Sequence, residues 1–534
     1  MGIPSYFSYI IKNYTDIIRN IQYCDQFQHL FMDCNSIVYS AYHALEKNDK
    51  NETKETIESK ILEEVVNQIH QYILLINPNK SIYIAFDGVA PFAKMNQQRV
   101  RRYKTEFTSL GKPALWNTMS ITPGTAFMDA LNKKIIKEFQ GKAKKYGVEN
   151  IWISNSNKVG EGEHKLFEKL RKDHEYFKND QIALYGLDSD LIMLSIFHQK
   201  FCAGIQVFRE SPEFNTVLDK NINNTNHNKI NQTEKKDILC MNIGQLSSAI
   251  ASEMHVSVQQ QMVTVYDYIF MCFFLGNDFM PHFPAFNIRT HGIQILTDTY
   301  RNVIGKYPER SFINITTGKI LWKWVHLFID SLGKQEHEHL LAEMNARDKN
   351  NKRQWTSNTP EEQEQILHHL PVIYRGDEKY ISPSDAGWRN RYYRVLLGID
   401  PTEENIRNVC RNYLEGLEWV LYYYTNKCMD WRWSYKYDYP PLMSDLSKYV
   451  LLDGPEIGWN ERVAFSENTQ LAYVLPRAKL DLCKHSAFLL DKYSHWYPTK
   501  YNFQWAFCRY FWEAHPLLPD IPIEELELLD TIIC

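Results

Sequence analysis

The chain has 534 residues, more than one ordinary domain needs, with a formal net charge of −4 and a hydrophobic content of 44%. That balance excludes a disordered chain and a globally basic nucleic-acid coat, so a polyanion site has to be a local patch. Ten cysteines without a CxxC pair argue against a zinc ribbon or a disulfide framework and for a reducing compartment, and neither a signal peptide nor a membrane-spanning run is visible.

In chain order, His29 to Met32 is a short apolar run ending on Asp33. Thr53 to Ile76 carries apolar residues near period four and predicts a helix. Ser81 to Phe86 predicts a strand that stops on Asp87, and Pro91 then suits the first turn of a helix. On such a helix Lys94, Gln98, Arg101 and Arg102 share one face, a fork of donors suited to phosphate, while Arg99 and Lys104 lie off it. Between Asp87 and Lys104 stand five Lys/Arg against one Asp, which makes this the local basic patch. Further helices are expected over Thr125–Tyr146 and Glu163–Lys172, and strands over Ile151–Ile153 and Gln181–Leu187, the last ending on Asp188. Alternating strands and helices predict an α/β fold with a parallel sheet, whose ligands gather at the carboxyl ends of the strands. Asn221–Lys236 reads as an exposed loop and Val263–Leu275 as an apolar helix. From about Ser311 the chain turns to long helices and aromatics, with Lys334–Gln365 polar and part loop, and Trp419–Tyr439 dense in aromatic rings.

Seven carboxylates recur at strand ends and glycine-flanked turns: Asp33, Asp87, Glu161, Glu163, Asp188, Asp190 and Asp278. A DxD or ExE pair alone is more often a cap or a solvated edge. Seven together would repel one another unless cations sat among them. Oxygen donors, with no His or Cys pattern nearby, select Mg²⁺ or Mn²⁺ over zinc. Two such ions about 3.5–4 Å apart stabilise both the attacking and the leaving oxygen of a phosphoryl displacement.

Several blocks together resemble the 5′→3′ exoribonuclease family (XRN): MGIPSYFSYI at the start, LFMDCNSIVY from Leu30, AFDGVAPFAKMNQQRVRRY from Ala85, ITPGTAFM from Ile121, GEGEHK from Gly160, GLDSDLIML from Gly186, FLGNDFMPHFP from Phe274 and the aromatic run from Gly416. The matches keep their order from residue 1 to about 446. The resemblance implies a PIN/FEN-like nuclease core over residues 1–310, with a mainly helical, aromatic-rich second region over 311–534 packed against it. It implies that the seven acids bind divalent metal, two Mg²⁺ or Mn²⁺ ions, and do the catalysis. It implies that Lys94, Gln98, Arg101 and Arg102 hold the 5′-monophosphate of single-stranded RNA, a pocket that each newly exposed 5′ end would re-enter. In the family a His and a Trp clamp the first base. Here Tyr39 stands at the His position, and the Trp is Trp433, with Trp431 as the alternative.

The expected activity is therefore processive, metal-dependent 5′→3′ hydrolysis of decapped RNA in the cytoplasm, by a monomer fed by a decapping enzyme. A structure-specific DNA flap nuclease and a catalytically weak RNA-binding scaffold are the alternatives. The sequence departs from the family at Tyr39, at Asp438 in YDYPP, and in a short Thr105–Ser120 segment. Many relatives also continue well beyond the point that corresponds to Cys534, so partners of those extensions are not carried over.

Overall fold

The computed structural model describes residues 3, 5–24, 26–46, 53–109, 115–211, 238–254, 261–351, 355–452, 454 and 459–534. The apolar runs come together as one sheet of β1 (Ile18–Asn20), β2 (His29–Asp33), β3 (Ser81–Ala85), β4 (Asn150–Ser154), β5 (Gln181–Tyr185), β6 (Gly204–Glu210) and β7 (Ile238–Asn242), in the order β1-β7-β6-β5-β2-β3-β4. The five strands from β6 to β4 are parallel, and β7 and β1 add an antiparallel edge. Both faces are covered, which is why these strands read as continuous apolar runs and not as alternations. Leu30, Met32, Ile82, Ile84, Ala183 and Tyr185 pack beneath the helices Asn35–Glu46, Lys54–Ile76 and Ala126–Phe139. Phe31, Tyr83, Ile182 and Leu184 point the other way, into a core shared with the helices Gly162–Lys172 and Asp190–His198.

At the amino ends of the central strands the polar groups are paired off. His29 Nδ1 lies 2.7 Å from Ser81 Oγ, its Nε2 lies 3.0 Å from Asp180, and Lys80 Nζ reaches Asp180 at 2.8 Å. The acids are all at the opposite, carboxyl end.

The second half is helical. Helices Trp322–Asn351, Trp388–Leu396 and Glu403–Thr425 extend the core that begins at the sheet. The last stretch clasps the basic helix Phe92–Ser109: Phe92 and Met95 share an apolar cluster with Leu471 and Trp496. Arg99 donates to the carbonyls of Pro519 and Trp496, and Lys104 to that of Trp512. The two off-face bases therefore hold the C-terminal segment.

Several expectations need correction. The helix expected over Thr125–Tyr146 stops at Phe139, because Gly141 turns left-handed (φ 72°), and a short turn follows over Ala143–Tyr146. β3 ends at Ala85, so Asp87 lies just past the strand, its backbone N–H donating to the Asn35 side chain. The expected apolar helix ends at Cys272 and tightens into a 3₁₀ turn over Phe273–Leu275. Lys334–Gln365 is far more helical than its polarity implied. Within it Glu336 accepts the N–H groups of Met443 and Ser444, Arg347 pairs with Glu378, and a capping box of Thr359 and Glu362 opens the next helix. The Asn221–Lys236 loop lies outside the described residues.

Candidate active site

Four neighbouring parallel strands deliver acids to one place. Asp33 is the last residue of β2, and Asp87 follows β3. Beyond β4, Glu161 stands just before the helix Gly162–Lys172, its side chain free of any capping bond, and Glu163 sits in the first turn. Beyond β5, Asp188 is followed by Asp190, the first residue of its helix. The helix N-termini tolerate negative charge at Glu163 and Asp190. Asp278 arrives from the loop after Phe273–Leu275 and interacts with Asp188 and Asp190. Oxygens of Asp33, Asp87 and Glu163 lie within 4.8 Å of one another, as do ligand atoms of Glu161, Glu163 and His164. All seven acids singled out in the sequence thus converge.

The turns that carry them are braced by the chain itself. Gly88 N–H donates to the Gly160 carbonyl at 2.9 Å, and Gly160 N–H to that of Val89 at 2.8 Å. Gly162 N–H donates to Asp87 Oδ1 at 2.6 Å, and Asn35 Nδ2 to Asp87 Oδ2 at 2.5 Å. A Cβ on Gly162 would stand 2.4 Å from Asp33 Oδ1, so only glycine lets the helix start this close. Buried Lys165 donates to the carbonyls of Phe86 and Asn155, at 2.7 and 3.0 Å, and so ties the turns after β3 and β4 together.

The electrostatics record an excess of negative charge. Burial, then the neighbouring Asp87 and Asp188, push Asp33 well above the usual carboxylate range. Burial, then Glu161 and Asp33, do the same to Glu163. Asp190 is raised to about 7 by burial and by Asp278. Against its own burial, Asp278 is held low by Lys94. The Lys94 ammonium sits between Glu161 Oε2 and Asp278 Oδ2, 2.6 Å from each. Lys94 pairs with two of the seven acids, yet buried Asp33 Oδ1 and Asp190 Oδ1 find no hydrogen-bond donor among the described residues. Oxygen atoms in that condition fit a hard divalent cation.

The basic helix continues from Lys94 away from the acids. Arg102 is buried and pushed down to about 9, by burial and then by the Arg101 charge. It donates to Thr122 Oγ1 at 2.6 Å, while its other terminal nitrogen and Gln98 Oε1 are buried without a partner among the described residues. Tyr39, half-buried, interacts with Arg102. Trp431 and Trp433 differ in kind. Trp433 is 8% exposed and stacked on Trp419, with ring centroids 5.2 Å apart. Trp431 is half-buried, its ring edge near Gly160, and its carbonyl accepts the N–H of Phe92 at the start of the basic helix.

A model of the XRN 5′-3′ exonuclease N-terminus matches residues 1–211, and one of the Xrn1 helical domain matches residues 259–382 and 374–533. The chain belongs to the XRN 5′-3′ exonuclease family. Among similar proteins, 5′-3′ exoribonuclease 2 of Arabidopsis thaliana is 24% identical over 99% of this chain and 67% of its own length. 5′-3′ exoribonuclease 1 of Homo sapiens is 25% identical over 100% of this chain and 34% of its own length, and that of Saccharomyces cerevisiae is 25% identical over 90% and 40%. The chain therefore spans about two thirds of the first of these relatives and well under half of the other two. Membership places it among the 5′-3′ exoribonucleases, with a PIN-like α/β nuclease domain joined to a helical domain. Among the described residues no helix is long and apolar enough to cross a membrane.

Lys165, His164 and Tyr423 join the acids without having been singled out in the sequence. His164, adjacent to Glu163, corrects the reading that no histidine stands nearby. It is stacked on Tyr423 and held neutral by burial. The basic and histidine positions were visible inside GEGEHK. The approach of Tyr423 from the second half of the chain left no signal beyond a run of aromatics.

Proposed function

We propose that this protein is a processive, divalent-metal-dependent 5′→3′ exoribonuclease that hydrolyses 5′-monophosphorylated single-stranded RNA to 5′-mononucleotides. The observation that carries the reading is one helix serving two needs. Its first turn puts Lys94 among acids whose buried oxygens include some with no donor among the described residues, and a later turn offers a buried Arg102 guanidinium nitrogen with no acceptor among them. Asp33, Asp87, Glu161, Glu163, Asp188, Asp190 and Asp278 would hold Mg²⁺ or Mn²⁺, two ions in the full assembly. Bound there, the cations would let the carboxylates ionise together, activate water and stabilise charge on the scissile phosphate.

Gln98, Arg101 and Arg102 bind the terminal phosphate. A guanidinium fork suits a dianion, and the closed surroundings of Arg102 disfavour a triphosphate or a cap. Lys94 bridges the phosphate side to the acids. Tyr39 and a tryptophan hold the first base by stacking, which tolerates every base. Half-buried Trp431 supports that role better than Trp433, whose ring is committed to Trp419. After each cleavage the new 5′-phosphate meets the same fork, a physical basis for processivity. The reading includes the division into a nuclease region over 1–310 and a helical region over 311–534, monomeric action, and a cytoplasmic setting in which decapping supplies the substrate.

The test is a panel of matched RNAs carrying 5′-monophosphate, 5′-triphosphate or cap, with a DNA flap beside them, in Mg²⁺ and in EDTA. Mononucleotides should leave the monophosphorylated RNA only, and only with Mg²⁺. Arg102→Ala should narrow the preference over triphosphate more than it slows cleavage. Equal use of all three RNA ends would overturn the phosphate pocket, and preferential flap cleavage would overturn the RNA assignment.

A further inference from the structure

Glu161 is held by two side chains from different parts of the chain. Lys94 takes Oε2, and the Tyr423 hydroxyl donates to Oε1 at 2.8 Å. Tyr423 belongs to the helix Glu403–Thr425 and lies 262 residues from the acid it touches. Its ring has little freedom. It stacks on His164, with centroids 3.7 Å apart and planes at 21°, and on Trp419, at 4.9 Å and 29°. Phe279, next to Asp278, meets it edge-on at 5.5 Å. Trp419 is itself fixed: it is fully buried, it stacks on Trp433, and its indole N–H donates to the Asp430 carbonyl at 2.9 Å. A run of stacked rings, His164, Tyr423, Trp419 and Trp433, thus fixes the hydroxyl that meets Glu161 of the acid cluster.

We propose that Tyr423 is a positioning residue, through which the helical region sets the rotamer of Glu161 and thereby the divalent-metal affinity of the nuclease region. The inference rests on the metal-dependent reading above. A Glu side chain has three rotatable bonds, and a free one would lose that freedom each time it took up a cation. Anchoring Oε1 from outside removes most of that cost and leaves Oε2 facing the cluster, where Lys94 already shows an attractive site for positive charge. Outer hydrogen bonds of this kind to a metal-binding carboxylate typically govern about 10–100-fold in metal affinity. The arrangement also explains a contact that packing alone does not require: a phenol reaches across the junction of the two halves to meet an acid whose other oxygen is already paired.

Tyr423→Phe in the full chain keeps the ring and the stack and removes only the donor. Mn²⁺ binding is measured by calorimetry and by the electron-paramagnetic signal of free Mn²⁺, with thermal melts in EDTA as the record of folding. Tyr422→Phe, on the same helix and half-buried, is the control. The expected result is Mn²⁺ affinity weakened roughly 10–100-fold in Tyr423→Phe. Cleavage should be recovered at raised Mn²⁺, with KM for 5′-monophosphorylated RNA unchanged and the control like wild type. A lowered melting temperature with wild-type Mn²⁺ affinity would make Tyr423 merely structural and overturn the inference alone. Failure of the wild-type chain to bind Mn²⁺ would overturn the metal reading and the inference together.

Discussion

The two ends of the same parallel strands are built on opposite principles. At the amino ends, His29, Ser81, Asp180 and Lys80 form a network whose hydrogen bonds close within the chain. At the carboxyl ends, Lys94 pairs with two of seven carboxylates, and buried oxygens of Asp33 and Asp190 have no donor among the described residues. A closed network of buried polar groups holds a fold in place. A half-closed one is costly, and its persistence marks a place where something from outside completes it. The contrast assigns stability to one end of the sheet and chemistry to the other.

Substitution at the two ends should separate those roles. At the carboxyl end, Asp33→Asn keeps shape and removes charge. Metal-site stabilisation is worth several kcal/mol, so cleavage should fall about 10³-fold or more, measured as mononucleotide release, with the melting temperature in EDTA not reduced. At the amino end, Asp180→Ala leaves the buried Nε2 of His29 without its partner. It should cost about 1–3 kcal/mol in denaturant unfolding while leaving cleavage per folded molecule unchanged. Equal effects of the two substitutions on both readouts would erase the distinction.

The smallest effect is in pH, and its sign differs between the ends. Asp33, Glu163 and Asp190 have raised folded pKa values, from burial and mutual repulsion, the last reaching about 7. The metal-free fold binds their protons more tightly than the unfolded chain does, so this end loses stability as pH rises from about 4 through 7. At the amino end, burial lowers His29. Asp180 is lowered as well, because its bonds to Lys80 and His29 overcome the burial that would raise it. Both contributions weaken as pH falls, that of His29 from about 6.5 downward. Melts in EDTA across pH should therefore decline on both sides of a maximum, and Mg²⁺ should remove the alkaline decline and leave the acid one.

Much of the site was legible in the sequence. Strands buried on both faces leave unbroken apolar runs, and an acid that ends such a run stands out, which is how Asp33, Asp87 and Asp188 declared themselves. The basic helix was legible from its spacing alone. β1, β6 and β7 were not read: β1 is three residues long, and β7 pairs through contacts distant in sequence. The helices within Lys334–Gln365 read as part loop because few buried anchors, among them Glu336, Leu340 and Arg347, fix a mostly solvated surface. The difference between Trp431 and Trp433 came from tertiary packing: both are tryptophans two residues apart, and only Trp433 has Trp419 behind it. Tyr423 was least visible of all, since what it touches is set by how the two halves meet.

On the function proposed above, the acid cluster is incomplete without divalent cations. Calorimetric titration of the full chain with Mn²⁺ in two buffers of different ionisation enthalpy tests it most directly. Saturable binding at one or two sites is expected, with protons released because raised carboxyls must ionise, and loss of that binding in Asp33→Asn. No saturable binding, or binding that Asp33→Asn leaves intact, would contradict it.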